Sequence, residues 1–563
     1  MKKTNSSCRR RTLAVAVAAV VGLSASAAAI AGVQTGGQFA TLTRATQLSR
    51  GDVVHGAMPI SQQMHVAVVM KLRSDGQLKA FLARSPSMPA SQRVMTPSQL
   101  AADYLPTQAQ VRAVTDYLRS AGFGNIRVSP NRMIVNASGS AGTVQSAFRT
   151  TLVGVRTHDG RDAFANSSAI RIPAALQDTV QAVLGLQSVH VAHTMARGAT
   201  PALDPVTGHN PLEFASIYKA SGLAPATDIN AAVWGWGSMA STLSDLNVYT
   251  SDNGLSSVNA GVVCTDYNGY NQGGVSTTDP TCNSYDQGST EWDLDSQDIV
   301  AMSGGVKSLT FYAAYGGYNS SITNALNEIV TPTAGEPLAQ VINASFGECE
   351  RYEDSGQNGD GSAQADDALF QIAAAQGQTF SVSTGDSGSD ECGDGGLNSA
   401  SYPASSPWVV AVSGTTLYAT TTSWGGEAVW RRAGGSPSSF EVAQPWQTNL
   451  TYGTYAGMRG PDVAFDANPN SGAIIYDSAA GGYVQVGGTS LSAPIFAGAW
   501  ARILQRNPGL GFAAPQLYTL RPFALHDVKY GNNRGYNAQA GWDWATGLGS
   551  FKVGLAAFLL RNN

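Results

Sequence analysis

Ser490 stands in the string Gly487-Gly488-Thr489-Ser490-Leu491-Ser492-Ala493-Pro494, and a mostly apolar run from Ile495 to Leu504 follows it. Small residues ahead of the serine let another backbone come close, and the apolar run, with a proline near its start, predicts a buried helix beginning at or near Ser490. The hydroxyl would then sit at the positive end of a helix dipole, either as a nucleophile or as a helix cap. A nucleophilic serine needs a base, and the usual one is histidine. Of the seven histidines only His209 and His526 lie late enough to belong to the serine-bearing part, and His526, beside Asp527, is the one placed for a triad. Carboxylates offer a different base. Glu291 and Asp295, in Glu291-Trp292-Asp293-Leu294-Asp295, are four apart and share one helical face with Ile299. Two like charges on a core-facing side are unfavourable unless they share a proton, whereas acids in a first helical turn can simply oppose the dipole. A further acid, Asp386, follows a strand-like run in Ser383-Thr384-Gly385-Asp386-Ser387-Gly388, where an Asx-turn is its plainest role.

Taken together these strings are more specific than any one of them. The segment Gly-Thr-Ser-x-Ser-Ala-Pro resembles the nucleophile segment of subtilisin-like serine peptidases. With Glu-Trp-Asp-Leu-Asp and Ser-Thr-Gly-Asp-Ser-Gly in the same order and wide separation, the chain resembles the sedolisin family of serine-carboxyl peptidases from Met95 through Gly549. That resemblance implies Ser490 as nucleophile and Glu291 as general base and later acid. It implies Asp295 as the partner that shares the proton of Glu291, and Asp386 as the group that stabilises the oxyanion. The physics is coherent. Near pH 4 an ordinary histidine is protonated and cannot accept a proton, whereas a carboxylate with a reference pKa of about 4.3 can. Asp386 would have to be protonated, since an ionised carboxylate repels an oxyanion.

The elements that position these groups fall into two unlike halves. Through residue 200 there are 21 Lys and Arg against 7 Asp and Glu, a net of +14; beyond it 13 against 32, a net of −19. Such halves attract each other, which fits a basic propeptide covering an acidic catalytic domain and loosening as carboxylates protonate. The strongly acidic second half excludes nucleic-acid binding as its role. At 563 residues more than one core is needed. Residues 1–31, with Lys2, Lys3 and Arg9 to Arg11 ahead of an apolar Leu13 to Leu23 and a small-residue end, describe a secretory signal peptide, so the protein is expected to be secreted. No later stretch is long and apolar enough for a membrane span. Setting Cys8 aside leaves Cys264, Cys282, Cys349 and Cys392, an even set that an exported chain pairs as two disulfides. Three connectivities exist; Cys264 with Cys282 and Cys349 with Cys392 is the expected one. Their spacing suits no common zinc motif.

Residues 32–187 are expected to form a small, ferredoxin-like α+β domain. Its expected elements are a strand over 66–72, a helix opened by Thr96-Pro97-Ser98-Gln99, a helix over 108–121, a hairpin of 126–128 with 133–135, and helices around 143–148 and 174–186. Its segment 95–155 resembles the sedolisin activation domain. A Gly- and Pro-bearing stretch over 188–212 is the processing linker. Residues 213–563 are expected to form the peptidase domain. There strand-like runs at 231–233, 309–313, 339–344, 379–382 and 408–412 alternate with helices at 291–302, 321–329 and 363–375. The alternation predicts an α/β fold, a doubly wound, mostly parallel sheet of subtilisin-like architecture.

Near the end, about 525–545, Asp527 and Asp543 bracket a Gly- and Asn-rich loop, the donor set a hard cation takes. The loop resembles the family's calcium loop, which implies the side chains of Asp527 and Asp543 with main-chain oxygens of Val528, Gln539 and Gly541 around one structural Ca2+. Gln539 stands where relatives often carry glycine. The expectation is a secreted, acid-active endopeptidase made as a zymogen, acting as a monomer on protein or peptide substrates, with its own propeptide as intramolecular inhibitor and neither nucleic acid nor membrane as partner. The rivals are a neutral Ser490-His526-Asp peptidase and an inactive, calcium-stabilised surface-binding protein.

Overall fold

The structure, a computed structural model, describes residues 38–199, 206–265, 282, 289–396, 398–448, 450 and 457–560. The proposed signal segment lies outside them. Among the described residues no helix is long and apolar enough to cross a membrane.

The front part is a four-stranded antiparallel sheet, order β2-β3-β1-β4, made of β1 (Gln63–Met70), β2 (Gly124–Val128), β3 (Ile134–Ser140) and β4 (Val180–Leu184). It carries the helices α1 (Asp75–Arg84), α2 (Pro97–Asp103), α3 (Gln108–Ser120) and α4 (Ala141–Phe148). Thr96 and Thr107 each close a reciprocal capping box, with Gln99 and Gln110, so α2 and α3 begin where Thr-x-x-Gln places them. One expectation fails. The stretch 174–186 is not a helix: a short 3-10 turn at Ala174–Leu176 leads into β4, whose Val180, Ala182 and Val183 pair with β1 and are buried there. An edge position beside a Val-rich strand outweighs the helical preference of the alanines and leucines.

The remainder is built on an eight-stranded sheet. Its strands are β5 (Ala226–Trp236), β6 (Ala260–Cys264), β7 (Val306–Ala314), β8 (Val341–Ala344), β10 (Thr379–Ser383), β11 (Val410–Ala419), β12 (Trp424–Val429) and β13 (Val463–Asp466); β9 (Phe346–Cys349) lies just beyond β8, outside the sheet. The order β6-β7-β5-β8-β10-β11-β12, with β13 also on β11, is parallel except for β12. Crossovers include α5 (Ala240–Asp252), α6 (Ser289–Ser303), α7 (Asn319–Val330) and α8 (Ser362–Ala375). A two-stranded ribbon, β14 (Ala473–Asp477) and β15 (Gly482–Gly487), then delivers the chain to α9 (Thr489–Arg506). The first sixteen residues of α9 are buried, with Phe496 and Trp500 in the core, and α6 packs along it. Both expected disulfides are present, Cys264–Cys282 and Cys349–Cys392.

Candidate active site

The nucleophile segment takes its shape from one glycine. Gly488 adopts φ 109°, and a Cβ there would lie 2.1 Å from the Met195 carbonyl oxygen and 2.9 Å from Asp386 Oδ2. Only glycine can turn the chain at so crowded a point. The helix therefore starts at Thr489, one residue before Ser490, and Pro494 falls in its second turn. Lacking an N–H, Pro494 leaves the Ser490 carbonyl without its helical partner; the Ser345 hydroxyl approaches it at 3.5 Å. Ser492, the other serine of the string, donates to the Phe465 carbonyl at 2.8 Å and serves packing.

Ser490 is fully buried, and its Oγ makes no regular hydrogen bond; nor does Glu291 Oε1. The hydroxyl nevertheless acts on the Glu291 carboxyl, favouring its ionised form against a strong desolvation that pushes the group up to about 8. Asp295, one turn on along α6, is also fully buried. Its Oδ1 accepts from the Ser345 hydroxyl at 2.6 Å, and burial together with the charge of Glu291 holds it well above the ordinary carboxyl range. The two acids titrate as a coupled pair. Ser345 thus bridges the acid pair and the nucleophile's backbone, a role the sequence did not disclose.

Asp386 comes off the end of β10 and reaches the start of α9. Its Oδ1 accepts from the Thr489 N–H at 2.9 Å and the Thr489 hydroxyl at 3.0 Å. Burial raises it to about 6, opposed by these bonds and by Arg197. The four sequence-derived residues are therefore brought to one place. In the same place lies a stretch of the linker. The N–H groups of Met195 and Ala196 both donate to Glu291 Oε2, at 2.9 and 2.6 Å, and Arg197 Nε lies 2.9 Å from Asp386 Oδ2. This stretch is extended: His193 and Thr194 pair antiparallel with Gly347 and Phe346 of β9, and Arg197 and Gly198 with Gly487 and Val486 of β15. An added strand between two edges is how a peptide substrate docks. A cavity of about 730 Å³ bounded by Arg197, Tyr418, Trp430, Arg432 and Pro469 adjoins it.

Known proteins share this arrangement of domains. Residues 51–189 match the family described as Pro-kumamolisin, activation domain, and residues 190–542 match the Subtilase family. The chain is 41% identical over 535 residues to sedolisin of Pseudomonas sp. (strain 101), covering 89% of this chain and 87% of that one. The chain belongs to the sedolisin family. Xanthomonalisin of Xanthomonas sp. (strain T-22) is 39% identical, over 88% of this chain and 65% of its own length. A solved structure of Pseudomonas sedolisin, a serine-carboxyl proteinase complexed with two molecules of pseudo-iodotyrostatin, superposes with a TM-score of 0.57 at 41% identity, covering 64% of this chain and all of that one. This sedolisin-family chain is thus a peptidase with an activation propeptide and a subtilase-like fold.

Within the family frame the remaining candidates sort themselves. His526 stacks on Trp424 at 4.0 Å and meets the Ser550 hydroxyl at 3.2 Å, and burial lowers it to about 4. Ser490 is not among its partners, so the imidazole-based triad finds no geometry here. Both acids of the C-terminal loop are engaged by backbone: Asp527 accepts from the Gly541 N–H at 3.1 Å, and Asp543 from the N–H groups of Gln539, Ala545 and Thr546 at 3.0, 2.9 and 2.8 Å. The carbonyls of Val528, Gln539 and Gly541 accept no hydrogen bond from the described residues, which leaves an all-oxygen donor set that fits a hard cation. Gln539 keeps a negative φ, so replacing glycine there costs no strain.

The front-to-back charge attraction is narrower than composition suggests. The body of the front domain docks through an apolar face, with Leu78, Phe81 and Ile134 in the core it shares with the second half, through the amides Asn131 on Asn327 at 2.8 Å and Asn136 on Asn324 at 2.9 Å, and with Lys79 acting on Asp367 and Glu441. The ion pairs that join the halves, His190 with Glu348 at 3.5 Å and Arg197 with Asp386, sit at its last residues. Met195, Arg197 and Ser345 are the site residues the sequence did not reveal. A lone arginine followed by glycine in a linker carried no signal beyond its proximity to the processing region.

Proposed function

We propose that the protein is a secreted zymogen whose mature form is an acid-active endopeptidase working through Ser490, Glu291 and Asp386. The observation that carries this is the buried Ser490 hydroxyl set against a carboxyl pair, with a third carboxyl at the head of the same helix and His526 held instead by Trp424 and Ser550. Ser490 Oγ attacks the carbonyl carbon of a bound peptide bond while Glu291 takes its proton. The attack needs the pair with a single proton, held on Asp295, a form that burial disfavours in the unprocessed chain by raising both acids. The developing oxyanion receives a hydrogen bond from protonated Asp386. Glu291 then returns the proton to the leaving amide nitrogen as the C–N bond breaks, and water hydrolyses the Ser490 ester by the same steps reversed. Because Asp386 must carry a proton, turnover belongs at acid pH. The front domain and the linker, whose residues 193–198 lie across the cleft, act as an intramolecular inhibitor.

Ca2+ in the loop of Asp527 and Asp543 would stabilise the mature fold by binding only the folded state. Asp527 and Asp543 would hold it, with the carbonyls of Val528, Gln539 and Gly541. The test of the main proposal is digestion of an acid-denatured protein, with Ser490→Ala and Glu291→Gln as controls. Both variants should be inactive and folded; digestion by Glu291→Gln at the unaltered rate would sink the mechanism.

A further inference from the structure

Asp245 on α5, Asp293 on α6 and Asp477 at the end of β14 bring three carboxylates together, with oxygens within 4.8 Å of one another. All three are buried, with exposures of 1%, 0% and 0%. Their hydrogen bonding is unequal. Asp477 Oδ1 accepts from the N–H groups of Ala479 and Ala480, and its Oδ2 from the Thr290 hydroxyl. Asp245 Oδ2 accepts from the Ser478 N–H and hydroxyl, each at 2.9 Å. Asp293 accepts a regular hydrogen bond at neither oxygen and the Thr242 hydroxyl makes none, although that hydroxyl lies near enough to favour the ionised carboxyl and Asp245 near enough to share a proton with it. The groups acting most strongly on Asp293 are Asp245, Thr242 and Asp477, with no lysine or arginine among them. An orphaned carboxylate facing two others inside a core is costly, and folded proteins resolve such a cluster with a cation or with shared protons.

We infer that Asp245, Asp293 and Asp477, with the Thr242 hydroxyl, hold a divalent cation at neutral pH, at a site separate from the C-terminal loop. The donors are all oxygen, which selects a hard ion. Separations up to 4.8 Å suit calcium, whose ligands at about 2.3–2.6 Å let opposite oxygens lie about 5 Å apart, better than magnesium at about 2.1 Å. Such an ion ties α5, α6 and the β14–β15 turn together. It thereby anchors the first two turns of α6, where Glu291 and Asp295 flank Asp293 in sequence. Asp293 is a positioning residue in this scheme, since it reaches the reacting atoms only through its helix.

The test uses full-length Ser490→Ala protein, which cannot process itself, stripped with chelator and titrated with calcium alone at pH 7. Bound ions are counted by equilibrium dialysis and native mass spectrometry. Introducing Asp293→Asn should remove one ion, or weaken one affinity at least tenfold, both in this background and in one that also carries Asp543→Asn. Terbium emission sensitised by the neighbouring Trp292 should fall with it. Should Asp293→Asn fail to fold, as read by circular dichroism, Thr242→Val and Asp245→Asn supply the same readout. An unchanged ion count in a folded cluster variant would overturn the inference and leave shared protons as the cluster's only occupants. The count is independent of peptidase activity, so failure of the proposed mechanism would not affect it.

Discussion

Arg197 Nε lies 2.9 Å from Asp386 Oδ2, so the carboxyl that the proposed mechanism needs protonated is tied, before processing, to a guanidinium that favours its ionised form. The other charged groups around Asp386 are Arg432, whose Nε donates to the Asp386 carbonyl at 3.2 Å, and the acids Glu391 and Glu291. Ionised Asp386 raises both acids, while burial is what raises Asp386 itself. Arg197 opposes that burial and delays proton uptake. Replacing it with glutamine should move the pH at which the zymogen begins to process itself upward, by about one unit. A pH series of timed acidifications, read on gels, checks this; an unmoved or lowered threshold would show that Arg197 does not act as the latch.

Asp386→Asn and Asp386→Ala separate charge from hydrogen bonding. An amide can still donate to the oxyanion, whereas a methyl cannot. The alanine variant should lose about 10²–10³ in kcat, with the asparagine variant losing less. The neutral limb of the pH profile should also move upward in the asparagine variant, because its donor never ionises. Equal losses with an unmoved profile would remove Asp386 from the oxyanion role.

Much of this is legible in the chain itself. Glu291, Asp295, Asp386 and Ser490, which the fold brings to one place, stand out in the chain because the proposed chemistry restricts residue type and local spacing, and the α/β alternation follows from strand and helix periods that tertiary packing reinforces. The stretch 174–186 departs from its helical reading because local propensity cannot report that Val180 and Val183 will meet β1 at a sheet edge. Met195 and Arg197 are invisible for another reason. Their importance comes from where an extended linker is laid, and nothing in Met-Ala-Arg-Gly fixes that place. Ser345 is hidden likewise: its two partners come from α6 and α9, far away in sequence.

Stability should depend on pH in an unusual direction. Glu291, Glu391 and Asp386 are raised by burial to about 8, 8 and 6, each above its unfolded value. The folded state then binds more protons than the unfolded one between roughly pH 4 and 8. Their contribution is fully present below the unfolded pKa values and is lost as pH rises through the folded ones. Calorimetry of the Ser490→Ala zymogen should give a Tm that falls by several degrees from pH 5 to pH 8, and Glu291→Gln should flatten the slope. A Tm that rises over this interval contradicts the assignment.

The C-terminal loop makes a separate claim. Asp543 is fully buried and raised to about 6, so without a cation its ionised form is supported by backbone N–H groups and the Thr546 hydroxyl alone. Chelation of mature enzyme should lower its Tm. At calcium a hundredfold above Kd the ion is worth about 2.7 kcal/mol. Asp543→Asn should reduce the Tm in calcium and shrink its response to chelator to the part owed to the Asp245, Asp293 and Asp477 cluster. A variant that still responds to chelator as strongly as the parent would place the stabilising ion elsewhere.

The linker geometry specifies a bond. Glu291 Oε2 receives the Ala196 N–H at 2.6 Å, where a leaving amide nitrogen would collect its proton, and the Met195 carbonyl oxygen faces Gly488 just ahead of Ser490. Thr194, one residue earlier, is held in register with Phe346. The first cut should therefore fall between Met195 and Ala196, leaving a new amino terminus at Ala196 and a carboxylate at Met195. It should follow first-order kinetics independent of protein concentration, since the segment already lies in its own cleft. N-terminal sequencing at the earliest time after acidification reads the bond directly. Ala196→Pro, which deletes the N–H that meets Glu291, should slow that cut by at least tenfold. A first terminus elsewhere, unmoved by the proline, would mean that the segment binds out of catalytic register and that the zymogen is opened at another bond.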